Sequence, residues 1–387
     1  MYIIYMFSRS FTLPTETQSV FIFGPRGTGK TTWLKTHLSS HVYIDLLHGD
    51  NFLKLSARPA SIEELIPPGY TDWIVIDEIQ RIPTLLHEVH RLIESKNYRF
   101  IMTGSSARAL RKKGVNLLAG RALTANMYPL TATELGETFS LKQSIRCGHL
   151  PMAYTAASDQ EREAYLKAYI QAYIREEVHQ EGLTRNISAF SRFLEIASFS
   201  HGSVVNYTEI GRELGRNRKV VENYFSILED LLLGCTLPVF RKRAKRDMTA
   251  RPKFYFFDTG IYQTLRPRGP LDSFSEISGP AIEGLFLQEV RAHNEYHRYG
   301  YELFFWRTTS NIEVDLVLYG VRGLKAFEIK HAQRIREKDL KGLQAFGADY
   351  PSAQLYVIYM GTKTEYHGRI TVLPFDWALT HMQELLS

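Results

Sequence analysis

Two stretches of the chain carry residue types at spacings suited to handling a phosphate chain. The first is Gly24-Pro25-Arg26-Gly27-Thr28-Gly29-Lys30-Thr31-Thr32, which directly follows the apolar triplet Phe21-Ile22-Phe23. A glycine-rich turn between a buried strand and a helix lets successive backbone N–H groups point inward around phosphate oxygens. At this spacing Lys30 reaches the β/γ-phosphates and the Thr31 hydroxyl ligates Mg²⁺. The second stretch, Trp73-Ile74-Val75-Ile76-Asp77-Glu78, places two acids after four apolar residues. At the end of a buried strand, Asp77 is suited to hold the metal and Glu78 to polarise the attacking water. A solvated strand end would not explain two acids in that position. The expected cofactors are therefore ATP and Mg²⁺, and the expected chemistry is hydrolysis.

Weaker candidates lie downstream. Thr103 to Ser105 close a third strand, "YRFIMTGSS", where polar ends are common, and could sense the γ-phosphate or orient water. The run "ARALRKKGVNLLAGRA" offers Arg108, Arg111, Lys112, Lys113 and Arg121. Any of these arginines could act as a charge-stabilising finger, and a basic run is also ordinary solvated loop. Arg121 is preferred because it sits between apolar segments; a finger reaching a neighbouring subunit would require a homo-oligomer. "HEVH" at residues 87 to 90 spaces its histidines by three, so it does not match the zinc-protease arrangement.

The C-terminal third holds a second constellation. Glu283 lies on an apolar helix, Asp315 in the strand-like Glu313-Val-Asp-Leu-Val, and Glu328-Ile-Lys330 in the next strand. Residues two apart on a strand share a face, so a hairpin joining these strands would bring Asp315, Glu328 and Lys330 together. Carboxylates converging there suit Mg²⁺, with a lysine helping to activate water, which is the equipment of phosphodiester hydrolysis. A sheet edge with ordinary charges reads the same way.

These residues need elements to hold them. Strand and helix patterns alternate from about residue 18 to 130, which predicts a parallel α/β sheet with the nucleotide at its carboxyl edge. Residues 160 to 182 carry Tyr165, Leu166, Tyr169, Ile170, Tyr173, Ile174 and Val178 at helical spacing, predicting one amphipathic helix that ends at Gly182. In "NYTEIGRELGRNRKVVENYFSILEDLLL", Thr208 is placed to cap a short helix and Gly215 to turn into a longer one from about Arg218. Short helix, glycine turn, long helix is the helix-turn-helix pattern, with Arg216, Asn217, Arg218 and Lys219 at the start of the second helix. Residues 241 to 253 then bring seven basic residues (Arg241, Lys242, Arg243, Lys245, Arg246, Arg251, Lys253) against Asp247 alone. Followed by the strand Phe254 to Phe257, they read as the wing of a winged helix suited to double-stranded DNA, a protein contact and plain solvated surface being the alternatives.

Bulk properties agree with this plan. At 387 residues the chain is long enough for two to four domains, and its net charge of +6 is mild for that length. Two cysteines, Cys147 and Cys235, fit a reducing cytoplasm and leave no cysteine-based zinc site within one chain. The apolar start lacks a basic region and a small-residue cleavage site, so a secretory signal is not expected, and no apolar run is long enough to span a membrane.

Taken together, "GPRGTGKTT", "IVIDEIQRIP", "IMTGSSARAL" with "LAGRAL", "NYTEIGRELG", "PKFYFFDTGIY" and "IEVDLVLYG…FEIKHA" resemble, over nearly the whole chain, a large prokaryotic family of AAA-type ATPases with a C-terminal DUF4143 region. That resemblance implies a P-loop ATPase domain at 1–140, a helical connector or lid at 141–190, a winged helix-turn-helix at 191–268 and a PD-(D/E)xK nuclease-like domain at 269–387. It implies nucleotide binding by Gly24 to Thr32 and a metal-and-base strand at Asp77-Glu78. It also places Glu283, Asp315, Glu328 and Lys330 at a nuclease-like site. Two functions remain open at this point: an ATP-driven switch or motor docked on DNA, and a signalling or scaffold ATPase that binds a protein and whose nuclease-like end is silent.

Overall fold

The computed structural model describes residues 7–38, 41–105, 118–174, 187–267, 269 and 274–387. They divide into two compact units. One comprises Arg9–Pro129 with Asp230–Leu232, the other Leu130–Glu229 and Leu233–Ser387 with Phe7 and Ser8.

The first unit is built on a five-stranded parallel sheet of β1 (Ser19–Phe23), β2 (His41–Asp45), β3 (Trp73–Asp77), β4 (Arg99–Gly104) and β5 (Ala122–Asn126), in the order β2-β3-β4-β1-β5. Parallel strands covered on both faces read as continuous apolar runs, and every residue of β1 is buried. Helices α1 (Lys30–His37), α2 (Gly49–Ala57) and α3 (Leu85–Lys96) provide the crossovers. On α3 the apolar positions Leu85, Leu86, Val89 and Leu92 turn inward, while His87 and His90 are exposed as expected of surface histidines.

The second unit begins with short helices between Ala132 and Tyr154, followed by α4 (Asp159–Ala168). The single helix expected over 160–182 does not continue as such. At Tyr169–Ile174 it widens into a π-helix, and its expected end at Gly182 lies outside the described residues. Three helices, α5 (Ile187–Ser198), α6 (Tyr207–Leu214) and α7 (Arg218–Asp230), then pack with a small antiparallel sheet. Its strands are β6 (Ser203–Val204), β7 (Gly234–Leu237) and β8 (Lys253–Phe256), with β8 central. The buried face of α7, Val221, Tyr224, Phe225, Ile227 and Leu228, meets an aromatic cluster in which Phe193 and Phe225 lie 5.0 Å apart edge to face. The cap of α6 is Asn206 rather than Thr208: its side-chain oxygen accepts from the Glu209 N–H at 3.4 Å. Gly215 closes that helix at φ 63°, where a side chain would be strained.

A six-stranded mixed sheet completes the unit: β9 (Glu302–Arg307), β10 (Glu313–Gly320), β11 (Gly323–Lys330), β12 (Gln354–Tyr359), β13 (Glu365–His367) and β14 (Ile370–Pro374), in the order β13-β14-β12-β11-β10-β9. The long α8 (Phe274–Tyr296) covers one face through Ile282, Leu285, Phe286 and Val290. The other face takes α9 (Glu337–Asp349) through Leu340, Leu343 and Phe346.

The basic segment between β7 and β8 does not hang free as a wing. Phe240 N–H donates to the Phe305 carbonyl at 2.7 Å and Phe305 N–H to the Pro238 carbonyl at 3.1 Å. Further along, Thr249 N–H donates to Arg307 and Thr309 N–H to Asp247. The segment is thereby pinned twice along the outer edge of β9, and the Phe240 ring is buried in the core under α9. Pairing an exposed strand edge and burying an aromatic ring both favour this course over a solvated excursion.

Candidate active site

In the first unit, β1 lies between β4 and β5, so the turn that follows it leaves the carboxyl edge of the sheet. Gly24 passes so close to the Met127 carbonyl oxygen that any side chain would overlap it, and Gly29 adopts φ 97°. Both positions are therefore closed to other residues without rearrangement. The turn is closed by the Thr28 hydroxyl, which donates to the Pro25 carbonyl at 2.9 Å. Arg9, which the sequence reading did not single out, braces it by donating to Thr28 and Tyr128 carbonyls at 2.6 and 2.7 Å.

The Lys30 ammonium is buried and donates to the Gly24 and Pro25 carbonyls at 2.6 and 3.2 Å. Helix α1 starts at this residue, so Thr31 sits in its first turn. The Thr31 hydroxyl donates to Asp77 Oδ2 at 3.0 Å. Asp77 also accepts from the Tyr43 and Thr103 hydroxyls, and Thr103 Oγ1 accepts the Glu78 N–H at 3.1 Å. Burial first, and then the Asp77 carboxylate, hold the Tyr43 phenol well above its ordinary pKa, so it stays a donor. Three hydroxyls around one buried carboxylate, one of them from the first turn of α1, make a donor set of hard oxygens. That chemistry fits Mg²⁺. Tyr43 was missed because nothing local to "HVYID" marks it; only pairing of β2 with β3 brings it to Asp77.

Glu78 follows the strand at φ 61°, ψ 46°, the left-handed region. Its carboxylate accepts from the Gln80 amide, which also donates to Ser105 Oγ at 3.2 Å. Thr103 thus meets the acidic pair directly, and Ser105 only by way of the Gln80 amide.

Arg121 is not brought to this place. Ala122 pairs with Ser19, the first residue of β1, so Arg121 stands at the amino edge of the sheet, a full strand length from the loop, roughly 16 Å at 3.3 Å per residue. It pairs there with Glu94 of α3. A finger acting within its own subunit is therefore excluded. Arg108, Arg111, Lys112 and Lys113 lie outside the described residues. Arg121→Ala should leave ATP turnover within about twofold, whereas loss of a true finger costs about 10³ or more. A drop of that size in a steady-state assay would mean that a neighbouring subunit supplies it.

The second unit does bring the C-terminal residues together. β10 and β11 form a hairpin closed at Gly320 and Gly323, with Leu316 opposite Phe327. The pairing of β10 with β9 slips between Val314 and Val317, a bulge that re-aims Asp315. Asp315 Oδ2 accepts the Ile329 N–H at 2.9 Å, and Lys330 Nζ pairs with Glu328 Oε1 at 2.5 Å. Burial alone would lower the Lys330 pKa, but Glu328 and Asp315 outweigh it and hold the ammonium above its ordinary value. Such a lysine stays charged and is not a proton acceptor.

The centre of this cluster is occupied by a residue the sequence reading had placed in the basic run. Lys253 is in strand β8, 2 % exposed, with its ammonium 3.1 Å from Asp315 Oδ1 and 3.6 Å from Glu283 Oε2, and paired also with Glu313. Glu313 in turn pairs with Arg307 at 3.1 Å. The expected Mg²⁺ set of Glu283, Asp315 and Glu328 thus faces an ammonium, and among the described residues no three His, Cys, Asp or Glu side chains are placed to hold one metal ion. The carboxylates as arranged do not fit a metal.

Burial, and next the Asp315 charge, push the Glu283 carboxyl up to about 8. A carboxyl raised in the folded state favours folding in its protonated form, so its contribution is full below the ordinary carboxylate range and is lost as pH rises toward 8. Glu283→Gln, which stays neutral, should match the parent in urea midpoint near pH 4 and exceed it near pH 9. Parallel curves across that range would show that Glu283 carries no such penalty.

Comparison with known proteins places three family models along the chain. Residues 16–136 match an AAA domain, residues 138–272 a domain of unknown function, DUF8612, and residues 278–377 another, DUF4143. An AAA domain suggests a nucleotide-binding ATPase. The uncharacterized protein MJ1544 of Methanocaldococcus jannaschii is 23 % identical over 329 residues, covering 77 % of this chain and 71 % of that one. A crystal structure of protein VC1899 from Vibrio cholerae aligns at 8 % identity over 95 % of this chain and 97 % of that one, with a TM-score of 0.23, too slight a likeness to bear on the fold. No helix among the described residues is long and apolar enough to cross a membrane.

Proposed function

We propose that the chain binds and hydrolyses ATP in its first unit and docks on duplex DNA through a winged helix in its second. The observation that carries the ATPase reading is the 3.0 Å contact between the Thr31 hydroxyl and Asp77, the two groups that would share Mg²⁺. Mg²⁺, when bound, neutralises charge developing on the phosphates. Backbone N–H groups from Arg26 to Thr32 cradle the phosphate chain, Lys30 exchanges the loop carbonyls for phosphate oxygens, and Glu78 accepts the proton of the attacking water.

The docking reading rests on the order α5-β6-α6-α7-β7-β8, which suits a winged helix whose β7–β8 segment is laid along β9 rather than free, and on exposed cations at Arg216, Arg218, Lys219, Arg243, Lys245 and Arg251. The C-terminal sheet, with Asp315, Glu328 and Lys330 on adjacent strands, is read as PD-(D/E)xK nuclease-like. One observation favours the rival scaffold reading: Lys242 pairs with Glu302, Arg246 with Asp349 and Arg218 with Glu222, which spends part of the positive charge internally.

ATPase turnover with and without duplex DNA, together with salt-dependent DNA binding, separates them. Duplex binding should weaken with salt, and Arg218→Ala with Lys219→Ala should reduce the log–log slope by about 2, near 1 per phosphate contact. Turnover that is intact but indifferent to DNA, with no salt-dependent binding, would leave the scaffold ATPase. Absence of ATP·Mg binding, with Lys30→Ala like the parent, would end both.

A further inference from the structure

The carboxylates of the C-terminal sheet would attract a divalent cation by type, yet the chain already supplies one positive charge at their centre. We propose that Lys253 is the resident cation of this cluster and that it keeps the cluster closed to divalent metal, so that the C-terminal domain does not cut phosphodiesters by a metal route.

The position of the lysine argues for permanence. It is a residue of the central strand of its sheet, with Val204 opposite it on one side and Leu237 on the other. A side chain anchored there cannot swing aside as a surface lysine does. Its ammonium lies within 4 Å of Glu283, Glu313 and Asp315. The oxygens left over are mostly engaged too. Asp315 Oδ2 takes the Ile329 N–H and Glu313 Oε2 the Arg307 guanidinium, while Glu283 Oε2, the oxygen that faces the lysine, also takes the Tyr255 hydroxyl at 3.1 Å. Glu328 Oε1 is held by Lys330, and among the oxygens of these four carboxylates Glu328 Oε2 is the one fully buried without a hydrogen-bond partner. Mg²⁺ demands near-octahedral oxygen ligation at about 2.0–2.1 Å, which the few oxygens not already engaged do not provide beside a buried ammonium. The lysine replaces the metal's charge and, bonded through its own chain, needs no supply from solution. It also ties β8 to β10 and α8.

The inference uses the nuclease-like reading only for the chemistry it removes, and a failure of ATP binding would leave it standing. Mn²⁺ titration of the full chain without nucleotide, followed by electron paramagnetic resonance, tests it. An Asp77→Asn background removes the phosphate-loop metal site from the readout. The expected result is identical titrations for this parent and for Asp315→Asn. A micromolar Mn²⁺ site in the parent, weakened tenfold or more by Asp315→Asn, would overturn the proposal. Lys253→Ala, checked for folding by circular dichroism, should gain a Mn²⁺ site that Asp315→Asn removes. A folded Lys253→Ala without that gain would also overturn it; if the variant does not fold, the first pair of titrations decides.

Discussion

Glu78→Gln is expected to lower ATP turnover by about 10²–10⁴ while leaving nucleotide affinity nearly unchanged. That range is what a positioned proton acceptor contributes. Glutamine keeps the size of the side chain and a hydrogen bond to Gln80, so the site should remain assembled. What it removes is the basic oxygen. The affinity should persist because Lys30, Thr31 and Asp77 belong to other parts of the site. The backbone supports the assignment: a glutamate at φ 61° costs about 1 kcal/mol or more, and such strain persists where the surroundings over-determine a conformation. Here the Thr103 hydroxyl takes the Glu78 N–H and Gln80 takes the carboxylate. Single-turnover hydrolysis alongside fluorescent-nucleotide binding reads both quantities. Parent-like turnover would move the base elsewhere; lost affinity would make Glu78 a binding residue.

Lys253→Ala should cost the second unit about 3–5 kcal/mol, the usual penalty for removing one partner of a buried charge cluster. The alanine strands Glu283, Glu313 and Asp315 around an empty space, with only Arg307 still compensating Glu313. Urea unfolding at pH 7 measures it. The double variant Lys253→Ala with Glu283→Gln should recover part of the loss, because contacting residues are not additive. A cost below about 1 kcal/mol would place the lysine in a solvated setting at odds with its burial.

The turn between β1 and α1 was legible in the sequence because strand, turn and helix are contiguous there, and the tasks proposed for its residues rest on spacing. The convergence of Asp315 with Glu328 and Lys330 was legible for the same reason, since a hairpin of two residues joins their strands. Lys253 was not. It belongs to a run of cations, and the carboxylates that bury it are up to 62 positions away. The place of Arg121 was not legible for a different cause: its neighbours show that a strand follows, but only the parallel pairing of Ala122 with Ser19 tells which edge of the sheet it occupies. Asn206 took the capping task from Thr208 because the helix begins at Tyr207, a shift of boundary that propensity does not resolve.

The double pinning of residues 238–252 along β9 bears on how this molecule can be taken apart. The length matched by DUF4143 begins at residue 278, yet the β9 edge is covered by backbone from before it, and Phe240 fills its core. Excised at that boundary, the six-stranded sheet would present an uncovered edge and a vacancy where an aromatic ring had been, conditions under which strands adhere to one another. The unit of inheritance that could be recombined intact is therefore longer than the unit that sequence families delineate. A gene fusion or truncation cut at residue 278 would carry away half of a shared fold.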